Sequence, residues 1–441
     1  MSAAASDVDG SGAEADGFTE LPALACPAAS GALIAEIPDG SVSAATPRSR
    51  AAPILPAVTP ATLAVPVVAA RRMVFIDVAR SFAILAALAA HTVAVFAVWP
   101  MVPSGAFKAV ANAIFSTATP TFFLLYGVML ELVYVRQRQR EGVASVSRRL
   151  AGRALKCWLG LTLGLVCAWI SGRILSPQVP GALVGLIDTP NSGILRLYTA
   201  AMVICIPVVV WRPRLGPGLA LTLVAVIWGL SPMLDFMSWP DPGSRWAFLT
   251  GFLFAHPPVW TAGSLWHDLS VVFLGMALGF HLRQRLDRGL RPLGGTMVLS
   301  TVAVCVIGTV ICALLMGPEN LAYGYLGTGR LLRSACHPAY FFISTLSALA
   351  LLWVAQMLFP PTTDAGRKSE PPLLAIGRHS LVIFAVGCAG LNLVPPGWHP
   401  PFWIGVIDVV FYLSGIWVLA LILDARQKAL KQLPSTAKPI P

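Results

Sequence analysis

Charge is what this chain has least of. Only 12% of its 441 residues are Asp, Glu, Lys or Arg, 56% are apolar, and the mean hydropathy is +0.74. Soluble globular domains carry about 25% charge, so composition excludes that class. Cysteine is present but unpatterned. None of the eight forms a CxxC pair or a Cys/His cluster at metal spacing, and Cys157, Cys167, Cys205, Cys305, Cys312 and Cys388 lie inside apolar runs. Such cysteines behave as small apolar residues, so neither a disulfide framework nor a metal site is expected. No basic stretch leads promptly into an unbroken apolar run at the N-terminus, which excludes a signal peptide. An internal repeat is missing too, which counts against the inverted-repeat transporter folds.

What remains is long apolar runs with their charges pushed into the gaps. Ten runs reach bilayer length, at about 74–98, 110–135, 152–174, 194–211, 215–233, 266–283, 295–316, 336–358, 373–395 and 401–423. The expected fold is an all-α polytopic membrane protein of about ten spanning helices. Between 174 and 193, Pro177, Pro180 and Pro190 interrupt what would otherwise be a further short helix. The net charge of +11 is not a nucleic-acid signature, because the arginines stand beside apolar runs. Arg136, Arg138, Arg140, Arg148, Arg149 and Arg153 fall between runs 2 and 3, Arg212 and Arg214 between 4 and 5, and Arg283, Arg285, Arg288 and Arg291 between 6 and 7. Arg367 and Lys368 fall between runs 8 and 9, and Arg426, Lys428 and Lys431 follow the last. Lys108, Arg245, Arg330 and Arg333 are the sparse cations of the other side. The positive-inside rule then puts both termini in the cytoplasm. The partner is a lipid bilayer, with no nucleic acid.

Three domains are expected: residues 1–72 as a disordered Ala/Pro/Ser-rich cytoplasmic tail, 73–425 as the transmembrane domain, and 426–441 as a short basic cytoplasmic tail. Pro53, Pro56, Pro60 and Pro66 argue against a helix in the apolar stretch before 70. Nothing after Met73 requires the preceding segment, so a start at Met73 is expected to suffice.

Chemistry concentrates in the first run, where Asp77 and Arg80 precede His91. Eleven residues at about 100° each end about 20° past three full turns, so Arg80 and His91 share a face, roughly 16 Å apart along the axis. A charge deep in a spanning helix costs at least ~2.5 kcal/mol, so such groups usually face a protein interior or a water-filled cavity. His91 is suited to proton transfer or to carrying an acyl group itself, or else it is a hydrogen-bonded core residue. Arg80 is suited to gripping phosphate or carboxylate, and compatibly to pairing with Asp77 or Glu131. Glu131 is close to the Arg136 cluster, so snorkelling to the interface is its bland reading and substrate contact its functional one.

Further sites sit at run ends. Arg378-His379-Ser380 opens the ninth run, where a cation and helix-start amides suit an anion. At the start of the sixth, Trp266-His267-Asp268 offers a histidine paired with a carboxylate for a hydroxyl acceptor, against helix capping and an interfacial tryptophan. Arg330, Arg333 and His337 precede the eighth and suit an anionic acceptor or acyl group. Trp239, Trp246, Trp260 and Trp266 read as an interfacial belt, or as a platform for sugar rings.

With Ile76-Asp77, Arg80, ten intervening residues and His91, the first run resembles the Arg-x10-His signature of acyltransferase-3-type membrane acyltransferases. The closer likeness is to the osmoregulated periplasmic glucan C protein (OpgC-type) branch. The stretches 121–127, Arg148-Arg149 to Arg153 with Trp158, Leu197-Tyr198, Phe273-Leu274-Gly275 and 377–384 carry it further, in order, over about 74–425. Ser81 stands where that family usually has glycine, and Tyr126-Gly127 where it usually has Ser-Gly. The resemblance implies an acyltransferase of the bacterial inner membrane. Its co-substrate is cytoplasmic acyl-CoA, with no tightly bound cofactor, and its acceptor is a hydroxyl of an extracytoplasmic glucan or other envelope glycan. Succinyl and acetyl are the candidate groups. Arg80, assisted by Arg153, Lys156 and Arg378, holds phosphates or an acyl carboxylate on this reading, and His91 meets thioester and hydroxyl. The alternatives are a transporter or flippase for a glycan or small anion, and a silent scaffold. Transport predicts paired intramembrane carboxylates, whereas Asp77, Glu131 and Asp408 do not pair by symmetry.

Overall fold

The computed structural model describes residues 73–184, 187, 190–234, 237, 245–254, 263–327, 331–360 and 372–432. Arg330, Trp239, Trp260, the 1–72 tail and residues 433–441 lie outside them. The described residues are helical with no strand, and eight helices are long and apolar enough to cross a membrane. They are α1 (Val74–Val95), α2 (Ala106–Glu141), α3 (Val143–Ile170), α4 (Gly193–Leu215), α6 (Leu265–Asp287), α7 (Thr296–Met316), α8 (Pro338–Leu358) and α10 (Phe402–Gln432). Two shorter apolar helices complete the set, α5 (Gly218–Leu234) and α9 (Ser380–Asn392). Each of the ten matches one expected span, so the protein is an all-α polytopic membrane protein.

Helix ends differ from expectation where charge was read as loop. Helix α3 starts at Val143, so Arg148, Arg149 and Arg153 ride on it, and Gly142 at φ 86° makes the turn from α2. Helix α4 carries Arg212 and Arg214 to its end at Leu215. Helix α10 runs on to Gln432, through residues expected to be tail. The cause is the same in each case: Arg, Lys and Gln are strong helix formers. In α10 a Lys428–Asp424 pair at 2.8 Å, one turn apart, adds support. The 174–193 segment does hold a short helix, Val179–Leu183.

Burial sorts the helices into layers. The apolar windows of α2 and α6 are 67% and 78% buried, whereas those of α7 and α10 are 11% buried and face outward. The central pair packs backbone to backbone. A Cβ on Gly127 would stand 1.9 Å from the Val272 carbonyl oxygen, and one on Gly275 would stand 2.2 Å from that of Leu124. Small residues permit this approach, which is how membrane helices associate without a hydrophobic drive between them. On the other side α3 meets α9, where a Cβ on Gly160 would reach the Ala385 Cβ at 2.8 Å. Buried Asn392 ends α9 as a knot. Its amide donates to the carbonyls of Gly164 and Pro190, each at 3.0 Å, and its oxygen accepts from Asn191 at 2.9 Å. The bond to Pro190 satisfies a carbonyl of the proline-interrupted stretch, which no helix ladder serves, and the bond to Gly164 ties that stretch and α9 to α3.

Candidate functional site

The site begins with a close approach at the start of α1. The buried Ser81 hydroxyl, within reach of the Asp77 carbonyl at 2.9 Å, also reaches the Leu373 carbonyl at 2.8 Å. A Cβ on Gly377 would stand 2.2 Å from the Asp77 carbonyl oxygen. The helical turn Leu374–Arg378, which precedes α9, is therefore pressed against α1. That contact brings Arg378 beside Arg80, nearly 300 positions away in sequence.

Both arginines have a carboxylate of their own. Arg80 lies 3.5 Å from Asp77, one turn earlier, so the intramembrane pair expected with Asp77 forms and the one with Glu131 does not. Arg378 bonds Asp424 of α10 at 2.8 Å, and the same carboxylate holds Lys428 at 2.8 Å and stands 4.0 Å from His379.

These cations open onto a cavity of about 340 Å³, at the lower end of the range for small-molecule sites. Arg80 comes from α1, Arg153 and Lys156 from α3, and Arg378, His379 and Ser380 from the start of α9. All six residues expected at the donor end, Arg80 included, thus line one cavity, and no carboxylate is among the lining residues. The remaining lining is aromatic and apolar, with Phe122, Tyr126, Met129 and Tyr134 of α2, Tyr198 and Met202 of α4, and Phe384 of α9. Tyr198 is fixed by donating to the Phe122 carbonyl at 2.7 Å and by stacking on Phe123 at 5.3 Å. Arg153 lies over the Tyr134 ring at 5.4 Å. A lining of cations together with aromatic and apolar side chains suits a ligand that carries both anionic groups and an apolar arm.

His91 is half-buried on α1 and is not among the lining residues. Glu131 is not at the interface. It is 1% exposed and sits between Arg212 at 3.1 Å and Arg283 at 3.6 Å, so the snorkelling reading is corrected to a buried ion triad. Arg212 and Arg283 both lie over Phe280, at 5.2 Å. The reason lies in the helices that run on past the expected ends: arginines read as loop charges stand on α4 and α6, level with the carboxylate.

At the other end of α6, His267 and Asp268 are buried but not paired with each other. The His267 ring stands between the hydroxyls of Ser264 and Ser231, each at 3.0 Å, and against Trp228 at 5.2 Å. Ser264 caps the helix, accepting from the His267 backbone N–H at 3.3 Å. Trp266 donates to the Ile227 carbonyl at 3.2 Å, tying α6 to α5, while Trp246 is exposed. Asp268 is near Arg333: a Cβ on Gly263 would meet the Asp268 carboxylate at 3.2 Å and Arg333 Nε at 3.7 Å. His337 caps α8, its Nδ1 accepting from the Ala339 N–H at 3.2 Å. None of His267, Asp268, Arg333 and His337 lines the cationic cavity.

Sequence reasoning missed Tyr126, Tyr134, Tyr198 and Asp424. Asp424 carried a local signal, its four-residue spacing to Lys428, and Tyr126 and Tyr198 lie in stretches that carry the family resemblance, without a role having been read for them.

A family model described as OpgC protein matches residues 182–427, more than half of the chain, and the chain belongs to that family. No curated protein and no solved structure matches it.

Proposed function

We propose that this OpgC-family chain is a membrane O-acyltransferase, moving an acyl group from acyl-CoA to a hydroxyl of an extracytoplasmic glucan or other envelope glycan. The observation that carries the reading is the cavity. Arg80, Arg153, Lys156 and Arg378 come from three separate parts of the chain to line one cavity that no carboxylate lines. Four cations suit the several phosphates of a coenzyme A donor, and the guanidinium forks suit bidentate phosphate contacts. The apolar lining of Phe122, Met129, Met202 and Phe384 suits the apolar part of such a donor. His91 stands three turns along α1 from Arg80, roughly 16 Å by helix rise. There it takes the proton of the acceptor hydroxyl as the oxygen attacks the thioester carbonyl, and the coenzyme A sulfur leaves. On this reading the basic end of the bundle faces the cytoplasm and the acceptor enters from the other side, in a bacterial inner membrane.

The test is acyl transfer from radiolabelled succinyl-CoA or acetyl-CoA to purified envelope glucans by protein in liposomes, with mass spectrometry of the product. His91→Ala should cost at least ~10²-fold in transfer, since general-base catalysis contributes 10²–10⁴. Arg80→Lys keeps the charge but loses the fork, so it should chiefly raise the donor KM. Wild-type transfer by a well-inserted His91→Ala protein removes the catalytic role of His91. Glucans identical with and without the protein remove the reading as a whole.

A further inference from the structure

Two lining tyrosines, Tyr126 and Tyr134, carry hydroxyls that are buried with no hydrogen-bond partner, and of the two it is Tyr134 that lies against the Arg153 guanidinium. Tyr134 is a lining residue, its side chain is 3% exposed, and its hydroxyl is buried with no hydrogen-bond partner. A buried hydroxyl left unpaired costs about 1–3 kcal/mol, so its persistence calls for an acceptor that arrives from outside. The surroundings state what kind. The phenol lies in the field of Arg153, Arg149 and Arg80, and its ring is covered by the Arg153 guanidinium at 5.4 Å. The arginines around it are cations, and cations accept no hydrogen bond.

The backbone explains how the residue comes to be there. Helix α2 widens into a single π turn over Leu130–Val135, between regular helix on both sides. Such turns are rare and cluster at functional sites. Here the turn lets one short segment serve two directions: Glu131 is buried against Arg212 and Arg283, while Tyr134 is buried against Arg153. In a regular helix residues three apart are neighbours on one face. The wider turn spreads them.

We propose that Tyr134 is an anion-binding and specificity-determining residue of this cavity, whose hydroxyl donates to a phosphate oxygen gripped by Arg80 and Arg153. It deepens the acyl-CoA reading and rests on it for the identity of the phosphate carrier, but not for the anion itself. With Tyr134 the cavity presents a neutral donor among its cations, which favours a phosphate with several acceptor oxygens over a simple counter-ion.

The test uses the full chain in detergent, with binding of coenzyme A and of inorganic pyrophosphate measured separately by calorimetry. Tyr134→Phe keeps the ring and its stacking on Arg153 and deletes only the hydroxyl. Hydrogen bonds to charged groups are the stronger kind, so the substitution should weaken both probes about 10-fold and raise the donor KM with kcat little changed. A merely structural tyrosine predicts unchanged affinity. Should the phenylalanine protein fail to fold, 3-fluorotyrosine at position 134 supplies a more acidic donor and should tighten pyrophosphate binding. Wild-type affinity in Tyr134→Phe, or no tightening with 3-fluorotyrosine, overturns the proposal while leaving the acyl-CoA reading intact. Pyrophosphate binding that depends on Tyr134, in a protein that ignores coenzyme A, upholds the residue and overturns the donor. Absence of binding by either probe to the wild type overturns both.

Discussion

Replacing Glu131 by glutamine removes one negative charge from the most enclosed ion cluster described, and its consequences can be ranked in advance. The Glu131 and Arg212 side chains are 1% and 4% exposed, against 19% for Arg283. In Glu131→Gln two guanidiniums share the Phe280 ring with no counter-charge, and Arg212 has no route to water. Breaking a buried pair from one side costs about 3–5 kcal/mol, which is at least ~10²-fold in the folded-to-unfolded ratio. Arg212→Met is different, because it leaves a neutral Glu131–Arg283 pair. It should cost on the order of 1–2 kcal/mol, between a surface pair and a broken buried one. Arg283→Gln should cost least, since Arg283 is the most exposed of the three. Arg212→Met placed on Glu131→Gln should recover stability, because it removes the stranded charge. Denaturant or thermal unfolding in detergent reads all four proteins. Wild-type stability in Glu131→Gln, or Arg283→Gln as the most damaging change, would refute the triad and return Glu131 to the interface.

Four further outcomes are expected. Gly127→Ala puts a methyl group 1.9 Å from the Val272 carbonyl, so α2 and α6 must part, and unfolding in detergent should show a loss of ~3 kcal/mol or more. Asn392→Ala strands the Pro190 carbonyl and cuts the tie to α3 at Gly164, costing about 2 kcal/mol and speeding protease cleavage between 174 and 193. Membrane-impermeant labelling from outside should modify a cysteine placed at Ser244 and spare one at Ser145; the opposite pattern reverses the orientation. Deleting residues 2–70 should leave insertion and transfer intact, and a protein that inserts but no longer transfers would give that segment a role in binding.

The apolar helices were legible because a bilayer demands long apolar runs whatever surrounds them, although only eight of the ten runs form helices long enough to cross it and α5 and α9 are shorter. Their ends were not. Arg148, Arg149, Arg212 and Lys428 look like loop residues in a hydropathy pattern, yet each is a good helix former on a helix that continues past the apolar run. That one misreading also hid the partners of Glu131. The cationic half of the cavity was visible as Arg80, Arg153, Lys156 and Arg378, since charges beside apolar runs are few enough to single out. The tyrosines were not visible, because the direction of Tyr134 depends on a π turn that a fixed 3.6-residue period cannot represent.

The break at His379 has a mechanical consequence. The turn before it is fastened to α1 through Gly377 and Ser81, and the helix after it is fastened to α3 through Gly160, Ala385 and Asn392. The contact with α1 therefore places Arg378 relative to Arg80, while the contact with α3 places the start of α9 relative to Arg153 and Lys156. Where α1 meets α9 directly, the contact runs through the pliable Leu88 side chain against Gly387. The backbone of His379, at φ −101° and ψ 22°, lies in neither regular helix. Enlarging Gly377 therefore shifts Arg378 against Arg80, whereas enlarging Gly160 shifts α3, which carries Arg153 and Lys156, so the spacing of the four cations is set by two glycines that do not line the cavity.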